Sequence, residues 1–440
     1  MAVGPPGSGK GIAIVIPNLL THRGSVVAID PKGELFQITG RVRKRRLGNK
    51  VLRLDPFGVC GQNGVARLNP LDFIDPKSPL VGDQCAVLAD ALVIETGKES
   101  DRHWILSARL AIQAAILYVA VYASPEDRNL NAVADILTDA ESFAGMLAMM
   151  RDVSGELAAS SSHLPAYRLL QRLGNTMSAW QDRELSSVLS SIGSHLSWLH
   201  SDPIEEHLSA SDFDRRDLIR KKMTVYLVLP PKYLTTLNRL LRLWIATLYG
   251  GITELGAQEE RQVLFMLDEA ESIGQMDSLS QALALGRGYG VRVFMILQSL
   301  GQLKILFPKD GEAQTAEASI DHKIFFGVRD YQTAEQVSNY LGTGTVAVAS
   351  KSTSRGTTES GNIVGAILGD EKLSISRNKG TSETWSETGR RLLMPDEILN
   401  LPADTAIIFA KGVPPILGKL AKYYQTPELS EELEEISGKQ

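Results

Sequence analysis

The chain reads as an α/β fold, a mostly parallel sheet flanked by helices, with an all-helical insertion dividing it in two. Three observations predict this. Short apolar runs closed by charged or Pro/Gly turns recur toward both ends of the chain, as buried parallel strands do. Apolar or amphipathic helical stretches alternate with them. Between residues 76 and 209 the strand-like runs vanish and helical periodicity takes over. With 440 residues, 43% of them hydrophobic, the chain can bury a large core, and two or three domains are expected.

Composition excludes some classes. Lys and Arg number 46 against 51 Asp and Glu, a net charge of −5, so the surface as a whole is not built to coat nucleic acid. A local groove or pore stays open, because binding depends on where the cations sit. Cys60 and Cys85 have no metal-type spacing and read as two buried thiols. His195, His200 and His207 lie five and seven apart, not the i, i+4 pair of a helical metal site, so surface or packing roles are expected. No signal peptide opens the chain. The longest apolar run, Ala114–Ala123, covers ten residues against the ~20 a bilayer requires, and reads as a buried helix rather than a transmembrane span.

The first element is also the most informative. Gly4-Pro5-Pro6-Gly7-Ser8-Gly9-Lys10-Gly11 fits G-x-x-x-x-G-K, the loop whose backbone N–H groups wrap nucleotide phosphates while the lysine reaches the β- and γ-phosphates. Gly4, Gly7 and Gly9 are expected to supply positive-φ freedom. Gly11 stands where a Ser or Thr hydroxyl normally ligands Mg²⁺. Ile12–Leu20 is expected as the helix whose positive end meets the phosphates, although its composition alone suits a strand equally well. Only Met1–Val3 precede the loop. The strand that carries it is therefore expected to be largely missing, with the loop tethered on one side only.

Ser25–Ile29 is a strand ending in Asp30-Pro31-Lys32-Gly33-Glu34, charged residues at the carboxyl edge where α/β folds bind ligands, or simply a turn. The basic cluster Arg41–Arg46 reads as a solvated helix end. Val51–Leu54 is a strand leading to Asp55-Pro56-Phe57-Gly58. Within the helical region, Trp104, Ala108, Ala111, Ala115 and Leu117 mark one apolar face, and Leu185, Val188, Leu189, Ile192 and Leu196 another. Asp139–Leu147 and Leu164–Trp180 are further amphipathic candidates.

The α/β pattern resumes with the strand Met223–Leu229, the helix Leu237–Thr253 and the strand Gln262–Leu267. Val263–Leu267 followed by Asp268-Glu269 is the Walker B pattern, in which the Asp holds Mg²⁺ and the Glu polarises the attacking water. Leu279–Leu285 (helix), Val291–Leu297 (strand, ending in Gln298), Lys323–Val328 (strand) and Gln332–Leu341 (helix) follow. Gln298 suits a γ-phosphate sensor or water-positioning residue, or a plain polar strand end. Residues 349–388, rich in Ser, Thr, Gly and Asn, are expected as a flexible insertion or a poorly ordered hairpin around Ile363–Leu368. Thr405–Ala410 is a last strand. The acidic end, residues 428–440, reads as a solvated helix or a docking tail. The expected domains are thus residues 1–75 and 210–427 for the nucleotide-binding domain, 76–209 for the helical insertion, and the acidic tail.

Taken together these stretches resemble the type IV secretion coupling proteins of the TraG/VirD kind. The resemblance rests on Gly9-Lys10-Gly11 running into Val15–Leu20, Asp30-Pro31-Lys32-Gly33-Glu34, Leu54-Asp55-Pro56 and Leu267-Asp268-Glu269-Ala270. Gly288-Tyr289-Gly290, Gln298-Ser299-Leu300-Gly301-Gln302-Leu303 and Leu392-Leu393-Met394-Pro395-Asp396-Glu397 complete it, in order and over nearly the whole chain. Glycine after the lysine is common in this branch.

The resemblance implies a hexameric, membrane-anchored RecA-like ATPase using ATP and Mg²⁺ at the cytoplasmic mouth of a secretion channel in the bacterial inner membrane. It implies as partners DNA (single-stranded, bound without regard to sequence), a relaxase or effector proteins, and the channel components. Arg287 and Gln298 lie at offsets from Asp268 similar to the family's, in which the arginine reaches a neighbouring subunit's nucleotide. This sequence is expected to lack the family's membrane-spanning N-terminal region. Two other readings compete: a hexameric DNA pump of the FtsK/HerA group, and a nucleotide-gated receptor whose helical domain docks substrates. DNA-stimulated hydrolysis separates the two motors from the receptor.

Overall fold

The computed structural model describes residues 1–94, 102–153, 164–258, 260–360 and 374–437. The chain divides into two compact units, Met1–Gly327 with Pro402–Gln440, and Val328–Leu401.

The first unit is organised on a nine-stranded sheet in the order β11-β10-β7-β1-β6-β5-β2-β4-β3. The strands are β1 (Ala2–Val3), β2 (Ser25–Ile29), β3 (Lys50–Leu54), β4 (Met223–Leu227), β5 (Val263–Leu267), β6 (Val291–Leu297), β7 (His322–Phe326), β10 (Thr405–Ala410) and β11 (Val413–Lys419). From β7 through β3 every pairing is parallel; β10 and β11 close one side antiparallel. The parallel strands β2, β4 and β5 are buried at every position, which is why their sequences are apolar but for Ser25 and Thr224.

The loop's strand is two residues long, yet it is not held on one side only. Ala2 and Val3 pair with Ile296 and Leu297 of β6 and with Ile324 and Phe325 of β7, and both are fully buried. Ile12–Leu20 is helical: a π-type turn, Gly11–Val15, runs into the helix Ile16–Thr21, with Val15, Leu19 and Leu20 packed on Val26, Ala28, Tyr226 and Met266.

Between β3 and β4 the described residues form helices and no strand, among them Val81–Leu92, Arg102–Tyr122, Leu130–Thr138, Ala140–Arg151, Leu164–Ser178 and Asp182–Leu196. His103–Tyr122 is long and apolar enough to cross a membrane, which the ten-residue run within it did not suggest; 61% of its apolar window is buried inside the protein, and it packs on Val81–Leu92 and Asp182–Leu196. Arg242, on the helix Asn238–Thr253, ties this region to the sheet by donating to the carbonyls of Asp90, Ala91 and Gln275. Among the histidines, His195 and His207 are buried, and burial holds their pKa values down to about 4 and about 3; Trp244 Nε1 donates to His207 Nε2 at 3.1 Å. Cys85 is buried, its thiol pushed up to about 12, whereas Cys60 is only half-buried.

Other readings change as well. Arg43, in the basic cluster, is not solvated but fully buried, while Arg41, Lys44, Arg45 and Arg46 are exposed. The acidic terminal helix, Pro427–Ser437, is not wholly solvated: Leu429 is buried in the core cluster and Leu433 packs against it. The edge strand β11 went unforeseen because Val413-Pro414-Pro415 reads as a breaker; proline is tolerated on an edge strand, where no ladder N–H is required.

In the second unit, β8 (Thr343–Ser360) and β9 (Ser374–Arg391) form an antiparallel hairpin, in register from Thr343↔Arg391 to Ser360↔Ser374. Of the two expectations for this stretch, the hairpin is the one the described residues fit, and its strands reach beyond the expected 349–388. Runs of Thr and Ser suit a pleated ribbon but leave no apolar alternation to read. The stretch Ile363–Leu368 lies outside the described residues. Helices Tyr331–Leu341 and Pro395–Leu399 complete the unit, with Ser338 Oγ donating to Leu393 O at 2.6 Å.

Candidate nucleotide-binding and catalytic site

Residues that end parallel strands share the carboxyl edge of the sheet. The glycine-rich loop leaves β1 there, Asp268 and Glu269 leave β5, and Gln298 leaves the intervening β6. Gly4 N–H donates to Leu297 O at 3.0 Å, fastening the loop to the end of β6. Gly7 (φ +76°) and Gly9 (φ +90°) occupy the left-handed region that favours glycine. Gly4 does not; it is glycine because a Cβ would lie 2.8 Å from the Phe326 ring and from Ser8 Oγ. Ser8 Oγ donates to Pro5 O at 2.7 Å, bracing the turn. Around Gly7 and Gly11 a Cβ would meet no atom within 4 Å, so the inner face of the loop is open, as a phosphate cradle requires.

Lys10 Nζ donates to Gly4 O at 2.7 Å, folded back over its own loop. Burial lowers its pKa, opposed by the negative charges of Glu269, Asp268 and Glu271. Asp268 is half-buried, and burial followed by the Glu269 charge pushes its carboxyl up to about 6; Lys10 and Lys32 pull the other way. Two carboxylates facing a lysine across an open loop are a donor set suited to a nucleotide triphosphate with Mg²⁺. Among the described residues no cluster of three His, Cys, Asp or Glu forms a metal cage, and a cage is not needed where phosphates and water complete the coordination.

Glu269 is the sole non-glycine with positive φ among the described residues (φ 54°, ψ 45°). That conformation costs about 1–2 kcal/mol and turns its side chain toward the neighbouring strand end. There Gln298 Nε2 donates to Glu269 Oε2 at 3.2 Å. The structure therefore brings Lys10, Asp268, Glu269 and Gln298 together. Arg287 is not with them. It sits in the turn Gly286–Tyr289 ahead of β6, at the opposite edge of the sheet, 80% exposed and 4.0 Å from Asp321.

The two Asp-Pro stretches are local scaffolds. Asp30 Oδ2 accepts from Phe36 N at 2.8 Å at the head of the helix Glu34–Arg45, and burial lifts its carboxyl to about 6. Asp55 accepts from Val59 N and Cys60 N, both at 2.9 Å. Lys32, Glu271 and Gln302 belong to the site; only Lys32, within Asp30–Glu34, was read from sequence as a charged residue at the ligand edge. Their signal was their place immediately after strand ends, which only the strand order brings side by side.

The sheet, the phosphate loop on a central strand and the carboxylate pair two strands away define a RecA-like P-loop nucleotide-binding fold. The chain belongs to the family described as type IV secretory system conjugative DNA transfer, which it matches over residues 1–440. It is 29% identical over 455 residues to the conjugal transfer protein TraG of Escherichia coli, covering 97% of this chain and 67% of that protein. To the VirD4 protein of Rhizobium radiobacter it is 29% identical over 442 residues, covering 100% of this chain and 59% of the relative. The chain thus spans only part of these relatives. Among solved structures it is similar to the bacterial conjugative coupling protein TrwBΔN70, with a TM-score of 0.66 and 21% identity, over 96% of this chain and 84% of that one. The plasmid coupling protein TrwB in complex with ADP and Mg²⁺ aligns equally well, with a TM-score of 0.66 and 21% identity over the same shares.

Proposed function

We propose that this chain is the ATP-hydrolysing part of a type IV secretion coupling protein, acting as a hexameric motor. The observation that carries the proposal is the convergence of Lys10, the Asp268–Glu269 pair and Gln298 around the open glycine loop at one sheet edge. Gly4, Gly7, Ser8, Gly9, Lys10 and Gly11 hold the phosphates, with Lys10 exchanging the Gly4 carbonyl for the β- and γ-phosphates. Mg²⁺ held by Asp268 supplies charge neutralisation at the phosphate oxygens. Glu269 takes the proton of the attacking water, and Gln298 orients Glu269. Arg287, on the far edge of its own sheet, acts on a neighbouring subunit's nucleotide.

Conjugative transfer in the family description, and coupling in the names of similar proteins, support DNA and secretion-channel components as partners. DNA contact is local, sequence-independent, directed to single strands and salt-sensitive, in keeping with the net charge of −5. The motor recruits a relaxase or effector proteins, and the working protein sits at the cytoplasmic face of the bacterial inner membrane. Family membership favours this reading over an FtsK/HerA-type pump.

The test is ATP turnover with and without single-stranded DNA. Turnover stimulated by DNA and lost in Lys10→Ala and Glu269→Gln supports the motor. Nucleotide binding with no turnover under either condition leaves the nucleotide-gated receptor.

A further inference from the structure

The motif Gln298-Ser299-Leu300-Gly301-Gln302 contains a second glutamine to which the proposed chemistry gives no role. β5 and β6 are neighbours, Leu267 opposite Met295, so the turns that follow them lie side by side: Ala270–Ile273 after β5 and Leu300–Gln302 after β6. Two amide–carboxylate contacts join the turns. Gln298 Nε2 donates to Glu269 Oε2, and Gln302 Nε2 donates to Glu271 Oε2. A third contact ties the two together, because Gln302 Oε1 accepts from the backbone N–H of Gln298 at 2.7 Å. Gln302 therefore uses both ends of its amide, the oxygen on the backbone of Gln298 and the nitrogen on Glu271.

We propose that Gln302, anchored on Glu271, is a positioning residue that fixes the backbone of Gln298 so that its side chain meets Glu269. A glutamine at the end of a strand has several rotamers and a mobile backbone, and clamping its N–H removes much of that freedom. Only an amide serves at position 302: Asn is one methylene short, and a carboxylate keeps the acceptor for Gln298 N–H but faces Glu271 with like charge. Glu271 lies near enough to Glu269 and Lys10 to feel their charges, and its side-chain hydrogen bond goes to Gln302. This inference rests on the hydrolytic reading for its effect on turnover, but not for the contact itself.

The discriminating experiment exchanges the two side chains. Gln302→Glu breaks the Glu271 contact, whereas the double variant Glu271→Gln/Gln302→Glu restores it with donor and acceptor reversed and leaves an acceptor for Gln298 N–H. In the full chain, Q302E is expected to lower kcat roughly ten- to a hundredfold with KM for ATP little changed, and the exchanged pair to recover to within a few-fold of wild type. Hydrogen exchange of the 298–302 segment, read with no nucleotide, is expected to speed up in Q302E and slow again in the exchanged pair. Wild-type exchange in Q302E, or an exchanged pair no better than Q302E in either readout, overturns the proposal. Should wild type hydrolyse no ATP, the hydrolytic reading fails while hydrogen exchange still decides the clamp. A urea midpoint for each variant separates loss of the clamp from loss of the fold, and the exchanged pair serves as the folded control.

Discussion

The two edges of the central sheet use the same kinds of side chain to opposite ends. At the amino edge Arg43 is fully buried and every donor group is spoken for. It donates to the carbonyls of Leu19 (2.7 Å), His22 (2.9 Å) and Gly24 (2.7 Å), to Asn49 Oδ1 (3.1 Å) and to Thr224 Oγ1 (2.5 Å). Arg261 likewise donates to Ile219 O and Arg220 O at 2.8 and 2.7 Å, at the end of the helix Asp217–Arg220. Helices flanking a parallel sheet point their carbonyl ends at this edge, and arginines complete their hydrogen bonds and oppose their dipoles. At the carboxyl edge the charges are left wanting. Lys10 has a backbone carbonyl for a partner, Asp268 is lifted to about 6 by burial, and Glu269 sits in a strained backbone conformation. Satisfied charge there marks scaffold, and unsatisfied charge marks the place a ligand completes. The difference shows that residue type is a poor guide to role and partner count a good one.

Arg287 offers the sharpest test, since it lies at the amino edge yet is exposed and makes only a 4.0 Å contact with Asp321. If it completes a neighbour's nucleotide site, Arg287→Ala binds ATP normally and hydrolyses it ~10³–10⁵ more slowly, or roughly 4–7 kcal/mol. Mixing it with Lys10→Ala subunits then restores part of the turnover. A mixture no more active than either variant, with both assembled, would place Arg287 among the scaffold arginines.

Next in size is Arg43→Ala, expected to cost about 3–4 kcal/mol of stability because buried carbonyls lose their donor. Arg261→Ala, at an exposed position, is expected to cost less than about 1 kcal/mol. Urea midpoints that fall equally would break the contrast between a buried and an exposed cap.

At the carboxyl edge the sign reverses. Asp30, with a folded pKa near 6 against an ordinary 3.8, holds its proton more tightly folded than unfolded. Its contribution to stability is therefore full below about pH 4 and lost as the pH rises through 6. Asp30→Asn keeps an acceptor for Phe36 N–H and removes the buried charge. It should stabilise the protein by roughly 1–3 kcal/mol at pH 7 and by nothing at pH 4. Equal midpoints for the variant and wild type at pH 7 would show that the charge is already compensated.

A small effect is also expected of Gly11→Ser. The position is open, so the hydroxyl enters without displacing anything. Mg²⁺ titration in the presence of ADP should tighten by about fivefold, the equivalent of one modest polar contact. Unchanged affinity would mean that coordination is complete without this position.

The strands and the nucleotide loop were legible because a buried parallel sheet writes itself as unbroken apolar runs, and the loop as glycines at fixed spacing. Val263–Leu267 followed by Asp268-Glu269 is such a run closed by a carboxylate pair. What was illegible depended on neighbours distant in sequence. Arg43 reads as one of the five cations of Arg41–Arg46 until Leu19, His22 and Thr224 are placed around it. Gln302 and Glu271 lie 31 residues apart and meet only because β5 and β6 are adjacent. Arg287 carries the right offset, but the offset does not say which edge it occupies.

The two-residue strand β1 has a consequence for how the protein is made. Residues 2 and 3 lie between 296–297 and 324–325, so their slot in the sheet does not exist until those later strands have been synthesised. Such long-range closure is slow, and it comes at the end of assembly rather than the beginning. The phosphate loop is synthesised before β6 and β7 and waits for both. Nucleotide affinity is expected only once β7 is in place, and a chain stalled before it exposes the apolar flanks of the gap to chaperones and to other copies of itself.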